Sequence, residues 1–485
     1  MAFKRRPLID FAPDRDPLQD GVLTDCDGFF PSPAGFQTLP GLQVFSPPLP
    51  KTCLGLFVAK ISAGTVIVAG TTDDLYILTN GNWAAQGLTV TPFSGKWRFD
   101  TYGNDIIAVN GIDPPFVSHN GAAFGVLGGS PPISDLVQAS DFSIFLDTAN
   151  SFTWWSSLAD DIWALPGIPT ETVSAPISAS PGNLTAMIAQ RSTMTFFKRN
   201  SMYVAYFTQP PFFWDIRKIS KQVGVASAEA VVQAGDQLYF PGPDDFYQYD
   251  GNSLTRIPND LRLWFLADLN VSYDFLTAGR FDPVRNLIFW HYSSIRANPL
   301  GTIDSWVCYS IKTGRWARGG LIIEAVCQSP VPANLGLTYD EFGTMMGFYN
   351  LIPDIPYNWP FFGTTGQDLA AVVLPDHRIW VYGSMPPDDS PGPYITPGDF
   401  GDRRNMYQCR RIRPGFTVNP LQSQCEVLAQ YLQGTTPTLV QTAPMSFDGN
   451  FNINVTNRLQ RHRMRVFALA EIADYEVEYD LAGEV

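Results

Sequence analysis

Four adjacent carboxylate pairs are the most obvious candidates for chemistry in this sequence: Asp73-Asp74, Asp160-Asp161, Asp244-Asp245 and Asp388-Asp389. Two carboxylates flanking one bond can hydrolyse a glycoside, one as acid and the other as base or nucleophile. Neighbours on a strand point to opposite faces, however, so a pair in sequence is not a pair in a site. All four pairs fall at strand ends or turns, where Asp caps backbone amides. The four histidines, His119, His291, His377 and His462, show no metal-ligand spacing. An exposed or hydrogen-bonded role is expected for each. No Gly-x-Ser-x-Gly elbow and no phosphate-cradling glycine loop occurs. The sharpest charge feature is residues 458–467, where strand alternation puts Arg461, Arg463 and Arg465 on one face and His462, Met464 and Val466 on the other. That arginine face reads either as a solvated sheet surface or as a docking strip for an acidic protein, extended by Arg410, Arg411 and Arg413. No catalytic residue, cofactor or metal site is expected, and the chain is not expected to be an enzyme.

The elements that would position these residues are short strands. Residues 231–258 give the pattern: β-branched and aromatic runs separated by Gly-Asp, Gly-Pro-Asp-Asp and Asp-Gly-Asn-Ser, the residues of tight hairpins. Four such strands make one twisted sheet that needs a neighbour on each side. A related unit of strand, Gly/Asp turn, strand, Asp-led turn and aromatic strand recurs from residue 53 to about 316, spaced near 35–45 residues early and longer later. A period near forty with four strands per unit predicts a β-propeller of six or seven blades. The turn Ser310-Ile311-Lys312-Thr313-Gly314-Arg315-Trp316 resembles the Asp-box of sialidase propellers, with Lys312 in place of the Asp and the Trp one residue early. Blade-top stacking of Trp154, Trp155, Trp214 and Trp316 on sugars is the competing functional expectation.

Composition agrees with an all-β chain. The 485 residues include 40 Gly, 40 Pro and 13% aromatics, with only 16% charged residues. Net charge is −14. Residues 401–485 hold nine basic and nine acidic side chains, so residues 1–400 carry all of it. Such a body grips phosphates poorly and disfavours nucleic-acid binding, although it suits a passage through which DNA slides. Six scattered cysteines without CxxC spacing read as reduced, buried thiols. The basic start lacks the apolar run of a signal peptide, and no stretch is long enough for a membrane helix, so no membrane insertion is expected.

The expected organisation is an extended N-terminal arm over 1–50, a propeller over 51–400 with an aromatic insertion at about 321–364, and an antiparallel β-sandwich over 401–485. Residues 385–404 read as a linking loop, and a helix is expected only near 260–266. The arm is expected to lie on this chain or on a neighbour, or to close the first sheet.

A resemblance then emerges. Phe11-Ala12-Pro13-Asp14-Arg15-Asp16-Pro17 followed by Gly21-Val22-Leu23-Thr24-Asp25-Cys26-Asp27 resembles the leader of β-propeller tail proteins of bacteriophages. Leu337-Thr338-Tyr339-Asp340-Glu341-Phe342 with Ile355-Pro356-Tyr357, the strand pair at 184–208 followed by 219–226, and the closing strands at 455–469 are similar to that group in the same order. The family is the tail hub, or nozzle, of short-tailed phages, also called packaged-DNA stabilisation proteins. The resemblance implies a non-enzymatic virion protein of the tail, assembled in the host cytoplasm. It would form a homo-oligomeric ring, a hexamer, below the portal and its adaptor, continue the DNA channel without sequence-specific binding, and anchor fibres or spikes. A carbohydrate-binding or carbohydrate-active propeller of a phage tail is the alternative.

Overall fold

The computed structural model describes residues 2–93, 95–139, 142–157, 173–190, 193–208, 214–330, 370–382, 392–420, 422–430 and 434–484. Seven four-stranded antiparallel sheets occupy the middle of the chain, and their first strands adjoin one another around a common axis. This is a seven-bladed β-propeller. Blade 1 comprises Gly55–Ile61, Gly64–Gly70, Leu75–Thr79 and Asn82–Ala85. Blade 5 comprises Val232–Ala234, Gln237–Pro241, Phe246–Tyr249 and Leu254–Arg256, the four strands that 231–258 predicts. In several other units the sequence rhythm shows three strands, because outer strands such as Gly125–Val126 and Ser174–Pro176 are too short and too exposed to carry a pattern.

The turn chemistry is local. Asn80-Gly81 and Asn120-Gly121 each place two consecutive residues at positive φ, the geometry of a tight hairpin turn that matches strand twist. Indoles wedge between blades with their N–H groups satisfied: Trp97 donates to the Thr71 carbonyl at 2.8 Å, Trp290 to Ala230 at 3.0 Å and Trp316 to Pro258 at 3.1 Å.

Blade 7 is the exception to locality. Ala325–Cys327, Ala371–Val373 and Ile379–Tyr382 are completed by Leu42–Val44, which pairs with Ile379–Tyr382 through Trp380↔Val44 and Tyr382↔Leu42. The N-terminal segment therefore closes the last blade rather than the first. Most of the expected aromatic insertion (331–364) lies outside the described residues, as do 385–391.

The remaining strands form one twelve-stranded sheet with contributions from both chain ends. Ala2–Phe11, Gly21–Asp27, Phe29–Pro31 and Phe36–Thr38 join Tyr394–Pro397, Phe400–Gly401, Asn405–Val418, Ser423–Gln430, Thr438–Pro444, Phe451–Asn457, Leu459–Val466 and Glu471–Glu484. Two expectations change here. The arm is a set of paired strands, because basic Ala2–Pro7 lies antiparallel to acidic Asp474–Tyr479, with an Arg5–Asp474 ion pair between the strands. The C-terminal unit is antiparallel throughout its described residues, and the parallel pairing of Leu8–Phe11 with Gly21–Leu23 belongs to the N-terminal segment. Its boundary also falls earlier, because part of the expected loop at 385–404 is the strands Tyr394–Pro397 and Phe400–Gly401. We call this unit the terminal domain.

It is fixed to blade 6 (Ala278–Asp282, Leu287–Tyr292, Ile303–Ser310, Trp316–Ile323) by covering that blade's outer edge. The unpaired edge amides of Trp316, Arg318 and Gly320 donate in turn to the Asp10 carboxylate at 2.7 Å, the Cys26 thiol at 3.4 Å and the Asp27 carboxylate at 2.9 Å. An exposed edge strand is an aggregation template, and here side chains from the other domain occupy it. The Arg262–Asp268 helix has no side-chain cap of its own; Asp14 accepts from Leu263 N at 2.7 Å and Trp264 N at 2.9 Å instead. One apolar core runs through the joint, containing Phe11, Leu23 and Phe29 together with Trp290 and Trp316.

Candidate functional site

The propeller axis gathers charge from its innermost strands. Arg98, on the first strand of blade 2 (Arg98–Tyr102), donates to Asp135 of blade 3 at 3.0 Å and lies 3.7 Å from Glu229, which precedes blade 5. Blades 2 and 5 are three places apart in a ring of seven, so one guanidinium bridges the axis. Asp135 is 1% exposed and also accepts from the Met187 amide at 2.9 Å. Burial pushes its carboxyl above the ordinary range, and this outweighs the attraction of Arg98. Lys96 donates to the Glu324 carbonyl at 2.6 Å. A cavity of about 320 Å³ is lined in part by Gln233, Arg280, Gln328 and Ser329. The Arg280 guanidinium is already committed to the carbonyls of Gly279 and Val326. The arrangement ties opposite blades together. Asp135 and Glu229 both face the same cation.

The six arginines singled out by the sequence separate into two groups. Leu459–Val466 is an interior strand, flanked by Ser423–Gln430 on one side and by Tyr394–Pro397 and Phe400–Gly401 on the other. Alternation holds, but the arginine face is not a free surface: the Arg461, Arg463 and Arg465 side chains are only 23%, 24% and 10% exposed. Arg461 donates to Asp399 at 2.5 Å. Arg463 lies between Glu426 (3.5 Å), Asp25 (3.8 Å) and the Thr396 hydroxyl (3.1 Å). Arg465 donates to Glu426 at 2.5 Å and to the Gly392 carbonyl at 3.2 Å. Arg463 and Arg465 both lie over the Tyr394 ring. The expected docking strip is an internal ladder of ion pairs, because acids from 25, 399 and 426 converge on it from strands distant in sequence.

Arg410, Arg411 and Arg413 remain exposed. Arg410 meets Asp480 at 2.6 Å, Arg411 approaches Glu478 at 3.8 Å, and Arg413 donates to the Asn450 side chain at 2.8 Å. Surface pairs of this kind leave the cations available to a partner.

The other candidates resolve into structural roles. Asp74 accepts from Leu75, Gly87 and Leu88 amides, Asp245 from Phe246, and Asp250 from Asn252 and Ser253. Asp244 instead pairs with Arg256 at 2.6 Å. Asp160-Asp161 and Asp388-Asp389 lie outside the described residues. The Asp-box-like turn joins two strands of blade 6, with Gly314 at φ +69° and Trp316 fully buried. Trp154, Trp155 and Trp214 are buried as well, so the four indoles pack the core and offer no stacking platform for sugars. His119 meets Asp105 at 3.1 Å on the surface, as expected. His462 overturns its expectation. It is fully buried between Phe400 and Tyr475 with neither ring nitrogen hydrogen-bonded, and burial, reinforced by nearby Arg6, lowers its pKa to about 3. Burial does the same to His291, which is 2% exposed. All six cysteines are free and buried. Among the described residues no cluster of His, Cys, Asp and Glu could hold a metal ion, and no helix is long and apolar enough to cross a membrane.

No protein-family model and no curated protein matches the chain. Solved structures similar to it include the Pan2 WD40 domain of Neurospora crassa, with 8% identity, 72% of this chain and 95% of that chain covered, and a TM-score of 0.40. BamB from Moraxella catarrhalis shows 9% identity, coverage of 79% and 98%, and a TM-score of 0.39. The computationally designed Ika8 protein shows 8% identity, coverage of 70% and 99%, and a TM-score of 0.38. Likenesses this remote carry no functional argument, and the propeller assignment stands on the seven sheets themselves.

Proposed function

We propose that this chain is a structural subunit of a short-tailed phage virion, a tail hub or nozzle. It forms a ring below the portal and adaptor that continues the DNA channel, helps retain packaged DNA and anchors fibres or spikes. One observation carries the reading. The leader (11–27) and the closing strands (455–469) each bear the resemblance to that family, and they lie more than 400 residues apart. In space both belong to the terminal domain: Gly21–Asp27 pairs with Tyr394–Pro397, which pairs with Leu459–Val466. The two ends thus resemble the family as one folded unit.

The proposal puts the DNA path outside the propeller axis. The Arg98–Glu229 contact spans the propeller axis, so the channel of this proposal lies between subunits, at the centre of the ring. The acidic body suits that position, because like charge lets the duplex slide without adhering. The test is electron microscopy of the full-length chain, alone and assembled on its portal and adaptor. A closed ring, sixfold by the resemblance, with a central opening wide enough for a duplex is expected. A monomer in every one of these settings overturns the proposal.

A further inference from the structure

We infer that the cavity between blades 5, 6 and 7 is a binding site for a small organic monocarboxylate, with Arg280 as its anchor. Its walls come from the first strands of blades 5 and 6, through Val232, Gln233 and Arg280. Gln328 and Ala370, beside the first two strands of blade 7, complete them. The volume of about 320 Å³ falls in the range of roughly 300–1,000 Å³ found for small-molecule pockets. An apolar void of roughly 150 Å³ already takes a benzene ring. The larger space leaves room for a ring that carries a charged group.

Arg280 supplies the charge. A guanidinium carries five N–H groups, and two of them donate to the Gly279 and Val326 carbonyls at 2.7 and 2.8 Å. Those bonds fix the plane of the fork, and the remaining N–H groups meet no acceptor among the described residues. No acidic residue lines the cavity, and none of the described carboxylates pairs with Arg280. Arg98, also on an innermost strand, shows the ordinary arrangement, with Asp135 at 3.0 Å and Glu229 at 3.7 Å. An unpaired cation on a cavity wall stands out in a body whose residues 1–400 carry the whole −14. A bound carboxylate completes the pair that the chain leaves open, because a planar N–H fork matches two carboxylate oxygens. One cation balances one negative charge, which favours a monocarboxylate over a phosphate dianion. Val232, Phe281 and Ala370 give the rest of the ligand an apolar wall, and exposed Gln233 and Gln328 add neutral amides.

The test titrates benzoate into the full-length chain at neutral pH, followed by ligand-observed NMR. Benzyl alcohol serves as the neutral isostere and inorganic phosphate as the competing anion. Saturable benzoate binding is expected, with a Kd on the order of 1 mM for so small a ligand. Gln328 lies two residues beyond the Val326 carbonyl that Arg280 holds, and it is exposed. Gln328→Glu therefore offers Arg280 an internal carboxylate. It should keep the wild-type thermal melt and weaken benzoate binding by about tenfold or more. Arg280→Met should abolish binding; it also cuts the tie to Val326, so Gln328→Glu decides the question if that variant fails to fold. Benzyl alcohol binding as tightly as benzoate makes the cavity an apolar void and overturns the carboxylate site. Phosphate that binds more tightly than benzoate overturns the monocarboxylate class. No saturable benzoate binding, or binding unchanged by Gln328→Glu, overturns the site itself.

Discussion

The propeller and the terminal domain are both assembled from short strands, yet the chain builds them in opposite ways. Six of the seven blades are contiguous hairpin meanders whose turns are set by residues within the same stretch. The terminal domain draws on residues 2–38 and 394–484, and one of its two longest strands, Glu471–Glu484, pairs with the other, Asn405–Val418, on one side and with Ala2–Pro7 on the other. Local construction leaves a periodic trace in sequence. Non-local construction leaves only complementary segments, here a basic start and an acidic end. The difference also decides the fate of charge. Propeller carboxylates such as Asp74, Asp245 and Asp250 cap their own turns, whereas Asp25, Asp399, Glu426 and Asp474 meet arginines from other strands.

The largest test of this contrast removes residues 2–38 while keeping Leu42–Val44. The terminal domain should lose its order, with rapid proteolysis and hydrogen exchange across 394–484, while the blades stay protected. Cooperative loss of both regions would show that the shared core around Trp290 and Trp316 binds them into one unit. Next in size is a comparison within the arginines. Arg461→Met strands the Asp399 carboxylate, 1% exposed, with only the Gln430 amide at 2.6 Å, and should cost about 3–5 kcal/mol in denaturant unfolding. Arg410→Met breaks an exposed pair and should cost less than about 1 kcal/mol. Equal costs would erase the distinction between ladder and surface.

The remaining test is at the joint between the two regions. Burial raises the Asp10 pKa from 3.8 to about 7, against the opposing pull of the Trp316 amide. A raised pKa favours the folded state where the group is protonated. Its contribution is full below about pH 4 and lost as pH rises through about 7. Asp10→Asn keeps an acceptor for Trp316 and removes the titration. The variant should therefore melt higher than wild type at pH 8, with the gap closing toward pH 4. A gap that widens as pH falls would contradict the assignment.

Much of the propeller was legible because hairpin chemistry is short-range. Asn80-Gly81, Asn120-Gly121 and Asp250-Gly251 announce turns from two residues, and 231–258 displays a whole blade. The helix at Arg262–Asp268 was legible within two residues of its start, although its cap, Asp14, was not. The surfaces were harder to read. The 461/463/465 alternation was correct, but whether such a face meets water or acids depends on which strands lie beside and across from it. Lys4, Arg5 and Arg6 against the acids of 471–484 was the available signal for the terminal domain, visible only if the two ends are compared.

By itself, then, the sequence determined an all-β chain of repeated hairpins, free thiols and turn-capping aspartates, because those properties depend on residues a few positions apart. The tertiary structure alone decided that the N-terminus completes blade 7, that both ends share one domain, and that Arg98 spans the axis. It also decided which arginines are spent internally and which remain outside. Each of these depends on contacts closed over hundreds of residues, and residue type and spacing do not encode which distant partner arrives.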